Sequence, residues 1–254
     1  MFNLSPIPVP DLSGKTILVT GAGHGIGSVL AELLVAKRAQ VYAGVNNAIN
    51  AGEEARLSGT NVVELDVTNQ SNVDAVMAKI QSENGQLDVL VNNAGLITPI
   101  GHLKDIYSDD LAPAFEVNVI GIHRMIRAAL PMLRASKGAI VNAGTGAATT
   151  AMEGWTAYCS SKAAARMLTQ MSALELSGDG IQSFFIGIPP TDTDMQGEIR
   201  ASGLNPISKI PQTDLVDPAV PASVMAWLCG PEARNLEDVL LDVRDDRFSA
   251  MMGK

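Results

Sequence analysis

Runs of consecutive apolar residues alternate along this chain with stretches whose apolar residues recur every three or four positions. The first pair lies in "KTILVTGAGHGIGSVLAELLVAKRA". An apolar run at 16–19 leads into glycines and then a helical pattern with Ile26, Leu30, Leu33 and Leu34 on one face. The alternation continues with "QVYAGV" and "NVVELDV" as strands, "NVDAVMAKIQ" as a helix and "LDVLVNNAG" as a strand. A long helix within 110–136, the strand "AIVNAG", a helix over about 155–176 and the strand "IQSFFIGI" follow, with one last strand around 239–243. Continuous apolar strands separated by amphipathic helices predict an α/β fold, a parallel sheet covered on both faces. There is no internal repeat and no linker, so residues 1–254 read as one domain. Residues 1–11, rich in proline, read as an extended N-terminal arm. Residues 189–216, where Pro, Thr, Asp and Gly are interspersed, are the longest irregular stretch and a candidate substrate lid.

Composition narrows the function classes. A chain of 254 residues can bury a full core, and 46% hydrophobic with 18% charged residues is ordinary for a soluble globular protein. The formal charge of -9 argues against nucleic acid and against an anionic membrane surface, which both need clustered Lys and Arg. Two cysteines without a CxxC pattern argue against a disulfide framework, and no metal site is expected. The N-terminus lacks the basic and apolar regions of a signal peptide, and no apolar run is long enough to span a bilayer. The expected location is cytoplasmic.

The candidate chemistry sits where strands end. "TGAGHGIG" follows the first strand and opens a helix, and its Gly21, Gly25 and Gly27 allow tight turning and close approach of a pyrophosphate to a helix N-terminus. His24, inside that turn, is expected to face a cofactor. Asp66-Val67 ends the third strand and "NNAG", with Asn93, Ala94 and Gly95, ends the fourth. In an open parallel sheet, ligands bind beyond the carboxyl ends of the strands, so these segments converge on one edge. Further along, Tyr158 and Lys162 are one helical turn apart and share a face. A phenol titrates near pH 10, and a neighbouring ammonium is expected to lower that value, suiting the pair to pass a proton to a carbonyl or alcohol oxygen.

Taken in order, "TGAGHGIG", "NNAG", Asn118 in "FEVNVIG", Thr145 and "YCSSK" resemble the short-chain dehydrogenase/reductase family, over nearly the whole chain. The resemblance implies a Rossmann-like, doubly wound parallel sheet of about seven strands with helices on both faces. It also implies a nicotinamide cofactor and hydride transfer to or from a small-molecule carbonyl or alcohol. By that resemblance Tyr158 is the acid/base, Lys162 binds the nicotinamide ribose and tunes the tyrosine, and Asn118 holds a water in the proton relay. Ile26, Thr191 and Thr193 fall among the cofactor-binding positions, and the two long helices are implied to build a homodimer or homotetramer. Thr145 stands where the family has serine; it keeps the hydroxyl but adds a methyl that restricts χ1 and crowds the pocket.

The chain departs from the family pattern after the sixth strand, where Ile188-Pro189 replaces the usual Pro-Gly, and in the tail, where "LDVRDDRF" replaces a "VDGG"-like sequence. "DTDMQ", residues 192–196, is similar to the carbonyl-reductase branch that acts on diketones and pterin-like ketones. In "AGVNN", ending the second strand, neither a carboxylate nor an arginine accompanies Asn46 and Asn47, so NADP(H) is favoured over NAD(H). Trp155, three residues before Tyr158, is a candidate for the substrate wall. Cys159 is expected to pack, and His102 and His123 lack metal-binding neighbours at ligand spacing. A dehalogenase-like enzyme without net redox and a non-catalytic cofactor-binding regulator are the competing readings. The small residues of the glycine turn and the intact Tyr/Lys pair favour the oxidoreductase.

Overall fold

Strand β1, Thr16–Thr20, is buried at every position, as a central strand with both faces covered must be. It pairs in parallel with β2, Gln40–Val45, on one side and with β4, Val89–Asn92, on the other. The computed structural model, which describes residues 3–46 and 55–253, places seven parallel strands in the order β3-β2-β1-β4-β5-β6-β7. The remaining strands are β3 (Asn61–Glu64), β5 (Ala139–Thr145), β6 (Gln182–Ile188) and β7 (Leu240–Asp242). The chain runs outward from β1 to β3, then returns to add β4 on the other side of β1. That reversal opens a crevice at the carboxyl ends of β1 and β4.

Side chains alternate between the two faces with the strand period of two. Ile17, Val19, Val89, Val91 and Val141 join one core, and Leu18, Leu90 and Ile140 join the other. The first core is covered by α1, Gly25–Ala36, which buries Leu30, Ala31 and Leu34, while Ile26 and Leu33 are only partly buried. Each such aliphatic side chain contributes about 1.5–3 kcal/mol. The second core is covered by α2 (Gln70–Asn84) and two later helices. A short α3 (Ala112–Phe115) runs through a π-helical segment (Glu116–Gly121) into α4 (Ile122–Ser136), and α5 spans Thr156–Leu176.

Two helices escape the sequence pattern. Residues 189–216 are not irregular throughout: they contain α6, Asp194–Ser202, closed by Gly203 in the left-handed conformation, with a 3-10 turn at Pro206–Lys209. Beyond them α7, Ala219–Leu228, is buried at every residue from Val220 to Leu228, so it has no polar face to mark it as a helix. Its Pro221 lies in the first turn, where a missing N–H costs nothing. Residues 3–12 carry neither helix nor strand, yet they are part of the core. Ile7, Val9 and Leu12 are buried, and the Ile7 N–H donates to the Ser223 hydroxyl at 2.9 Å. A final short helix, α8, spans Asp246–Ser249.

Candidate active site

A cavity of about 750 Å³ lies along the carboxyl ends of β1, β4 and β5. One end is built by the glycine turn. Gly21 and Gly25 have φ of +64° and +56°, the left-handed region that glycine enters without a Cβ penalty. A Cβ at Gly21 would lie 2.8 Å from the Ala94 Cα, and one at Gly27 only 2.2 Å from the Gly21 carbonyl oxygen, so neither position admits a side chain. The His24 side chain does not cap α1, and the first turn of that helix holds no acidic residue. The turn therefore presents backbone N–H groups and the positive end of the helix dipole, which suits a diphosphate.

Thr20 ties this turn to the next strand end, and sequence reasoning missed it. Its hydroxyl accepts the Asn93 and Ala94 N–H groups at 3.1 and 3.0 Å. The Asn93 amide returns two bonds, to the Thr20 and Gly21 carbonyls at 3.1 and 3.0 Å. "NNAG" and "TGAGHGIG" thus form one rigid unit. Asp66 sits half-buried on the same cavity edge, where one carboxylate oxygen accepts from the Thr68 N–H and hydroxyl at 2.9 and 2.7 Å. Val67 and the exposed Asn46 complete this end, while Asn47 lies outside the described residues. His24 also lines the cavity and stands 3.9 Å from Asp194 at the start of α6, both well exposed.

At the other end α5 delivers Tyr158 and Lys162, with Tyr158 8% and Lys162 4% exposed. The Lys162 ammonium donates to the Ala143 carbonyl at 2.9 Å and lies 5.8 Å from the centre of the Tyr158 ring. Burial dominates both groups, and this corrects the expectation that the ammonium lowers the phenol. Desolvation pushes Tyr158 well above the ordinary phenol value, Cys159 adds in the same direction, and a hydrogen bond with the Thr145 hydroxyl opposes them. Desolvation likewise pulls Lys162 down to about 8. Each group is held toward its neutral form because low-polarity surroundings disfavour charge. Tyr158 at neutral pH is thus a proton-bearing phenol.

Thr145 ends β5 and lines the cavity, and its hydroxyl also accepts the Ala147 N–H at 3.3 Å. Trp155 is 5% exposed and meets Tyr158 edge to face, ring centres 5.6 Å apart. Gly95 packs where a Cβ would be 3.6 Å from the Lys162 nitrogen. Thr191 and Thr193 line the roof. The unusual Pro189 does not loosen that roof, because the Pro190 carbonyl and Asp192 N–H both pair with Val216, at 3.0 and 2.9 Å.

Two predicted residues stand behind the wall instead of on it. Gly27 serves by close packing. Asn118, fully buried in the π-helical segment, spends its side chain on the Leu96 N–H and carbonyl, each at 2.8 Å, and on the Ser161 hydroxyl at 2.9 Å. Both N–H donors of that side chain are thereby used, and its oxygen accepts one bond. Cys159 packs against the apolar cluster around Trp155, and His102 bonds Glu153 at 2.9 Å. Arg244, from the divergent tail, lines the cavity and is held by Asp242 at 2.6 and 2.7 Å. Its position depends on β7 lying beside β6, which no local pattern announces. Among the described residues no group of His, Cys, Asp and Glu could hold a metal, and no helix is long and apolar enough to cross a membrane.

Residues 15–203 match the short chain dehydrogenase family. The chain is 32% identical to a 3-oxoacyl-[acyl-carrier-protein] reductase of Vibrio cholerae over 94% of its own length and 99% of that protein. A solved 3-ketoacyl-(acyl-carrier-protein) reductase from Brucella melitensis, complexed with NADH, superposes with a TM-score of 0.82 at 25% identity, covering 93% of this chain and 99% of the other. RhlG from Pseudomonas aeruginosa, solved with NADP in its active site, gives a TM-score of 0.82 at 26% identity, covering 94% and 97%.

The buried ammonium carries a stability cost with a defined sign. The Lys162 value in the fold, about 8, lies below its value of 10.5 in an unfolded chain, so the cost is fully present below pH 8 and is relieved as pH rises toward 10.5. At pH 7 it is on the order of 3 kcal/mol, partly offset by the bond to Ala143. Lys162→Met should therefore melt higher than the parent at pH 7 in thermal unfolding without added cofactor, and the gap should shrink by pH 10. A pH-independent gap, or a less stable variant at pH 7, would show that the ammonium is not desolvated.

Proposed function

This chain belongs to the short-chain dehydrogenase/reductase family, and from that premise we propose how its cavity carries out the family's reaction. It is an NAD(P)(H)-dependent oxidoreductase that acts on carbonyl or alcohol substrates. The observation that carries the reading is the continuity of one cavity, from the uncapped helix N-terminus at His24 to the sealed phenol of Tyr158.

In this reading the N–H groups of Gly21, His24, Gly25 and Ile26 hold the diphosphate, and Gly27 lets the helix pack closely behind them. Asn46 faces the adenosine ribose, and Asp66 and Val67 border the adenine. Asn93, Ala94 and Gly95 floor the middle of the cavity, while Thr191 and Thr193 cover the nicotinamide. When bound, the nicotinamide supplies or accepts the hydride. Tyr158 gives its phenolic proton to the reduced oxygen, or withdraws it in the oxidative direction. Thr145 donates a hydrogen bond to the same oxygen and fixes the carbonyl against the phenol. Lys162 reaches the ribose hydroxyls and compensates the phenolate as it forms. Asn118 acts through Leu96 and Ser161, keeping the wall and α5 in register.

The chain works as one dinucleotide-binding and catalytic unit, with 189–216 as the substrate lid. It assembles as a homodimer or homotetramer through α4 and α5, whose Met167, Met171 and Leu174 are exposed, and acts in the cytoplasm. NADP(H) is the preferred cofactor, supported by the neutral Asn46 at the end of β2.

Tyr158→Phe should lower kcat by roughly 10²–10⁴-fold, the usual share of general acid–base catalysis, while binding of the dinucleotide by fluorescence titration stays within a few-fold of the parent. Turnover close to the parent would assign the proton to another group. Asn46→Asp should shift preference from NADPH toward NADH, because a 2′-phosphate would meet a new carboxylate that can instead accept from ribose hydroxyls. A change of about 1.4 kcal/mol would move the kcat/KM ratio tenfold at fixed ionic strength. An unchanged ratio would place Asn46 away from the 2′ position, and a parent that already prefers NADH would overturn the cofactor assignment.

A further inference from the structure

The part of the cavity beyond Tyr158 and Thr145 is walled by Ile97, Met152, Trp155, Met195, Ile199 and Ile207. Its two nearby cations are committed elsewhere. Lys162 donates to Ala143, and Arg244 is locked in a two-point bond with Asp242. Such walls suit an uncharged, largely apolar molecule. Beside the Thr150 hydroxyl and the Trp155 indole N–H, which is sealed without a partner, one side-chain amide stands among them.

Gln196 lies in α6 between Met195 and the lid's second turn and is 3% exposed, yet it lines the cavity. Its amide nitrogen donates to the Ile207 carbonyl at 3.1 Å. A carbonyl only accepts, so this bond fixes which way the amide faces. The Gln196 Oε1 accepts no hydrogen bond among the described residues, and it is absent from the sealed, unpartnered atoms of the interior. It is therefore an acceptor without a donor, on a side chain that lines the cavity. Leaving such an atom unpartnered when a dry substrate fills the pocket is unfavourable, whereas a substrate N–H or O–H satisfies it.

We propose that Gln196 is a specificity-determining residue whose amide oxygen accepts a hydrogen bond from the substrate. The favoured substrates are then uncharged, apolar carbonyl compounds that carry one hydroxyl or amide N–H besides the reacting carbonyl. This rests on the reading of the cavity as a carbonyl-reducing site and adds a second point of recognition to it. The reacting oxygen is held by two donors, Tyr158 and Thr145, and the distal group by one acceptor. Together these orient the carbonyl and choose which of its faces meets the hydride.

The test uses pairs of aryl ketones in which a hydroxyl, placed on the α-carbon, the β-carbon or the ring, is replaced by fluorine. Fluorine is close to hydroxyl in size but cannot donate, and its different electronic effect acts on parent and variant alike. In the unmodified enzyme, the hydroxyl member of at least one pair should show a kcat/KM about tenfold higher or more, through a lower KM. Gln196→Leu should bring that ratio close to one. A variant damaged only in the lid's anchoring to Ile207 would lose activity on both members alike and keep the ratio. Parent ratios near one for every pair, or a ratio that survives in Gln196→Leu, would overturn the proposal. If no member of any pair is reduced with either NADPH or NADH, it is the carbonyl-reductase reading that fails, and the two failures are distinct.

Discussion

The rest of the site depends on one costly placement, an ammonium buried beneath a sheet edge with a single carbonyl to hold it. Lys162 keeps its position only while α5 lies close against the end of β5, so that Ala143 can accept at 2.9 Å. The same helix face carries a further buried bond to the sheet. The Asn142 side-chain amide donates to the Thr169 hydroxyl at 2.9 Å, while its Oδ1 accepts from the Asn92 side-chain amide of the neighbouring strand at 2.8 Å. Ser161 accepts from Asn118, which in turn grips Leu96. Buried polar groups are expensive to leave unmade, so each bond penalises sliding or rotation of α5. Two turns of helix thereby hold tyrosine and lysine to the edge of β5 with little freedom, although the apolar packing alone would tolerate small shifts.

Those constraints also explain what could be read from the chain. Strands β1, β4, β5 and β6 were legible because both-face burial leaves uninterrupted apolar runs, and the glycine turn was legible because only glycine fits at 21 and 27. The Tyr158–Lys162 face followed from helical spacing. Spacing says nothing of environment, however. It placed an ammonium near a phenol but did not show that desolvation outweighs their interaction across 5.8 Å. Residues whose partners are remote in sequence were equally hidden. Thr20 meets Asn93 across 73 positions, and Arg244 enters the cavity only through the β6–β7 pairing. Helix α7 went unseen for the opposite reason, since full burial erased its polar face, and α6 was masked by the turn-forming residues around it.

The cavity has two halves of different construction, joined by residues 189–216. The half around the glycine turn is backbone: turning glycines, N–H groups and hydroxyls braced by Thr20. The other half is side chain, and much of it comes from 195–207. Side-chain bonds there run from Gln196 to Ile207 and from Asn205 to the Glu153 carbonyl at 3.0 Å, while on its flanks Pro190 and Asp192 pair with Val216 and Gln212 donates to Asp192. At its start Thr193 crosses the glycine turn, where a Cβ on Gly25 would lie 3.4 Å from the threonine methyl. One short segment thus touches both ends of the cavity, so the fit of the apolar walls is tied to the glycine turn.

Threonine at 145 belongs to the same logic of shared donors. A hydroxyl has one proton and two lone pairs. One lone pair takes the Ala147 N–H, and the hydrogen bond with Tyr158 is of the kind that favours the phenolate. The oxygen is thereby anchored on its backbone side. β-Branching limits the alternatives, because the methyl group cannot rotate freely in extended backbone at φ -161° and ψ 156°. A carbonyl oxygen entering between the two side chains would accept from both at once. Burial holds the phenol toward its neutral form, so it would keep its proton until negative charge develops on the substrate oxygen, and transfer would be coupled to reduction rather than precede it.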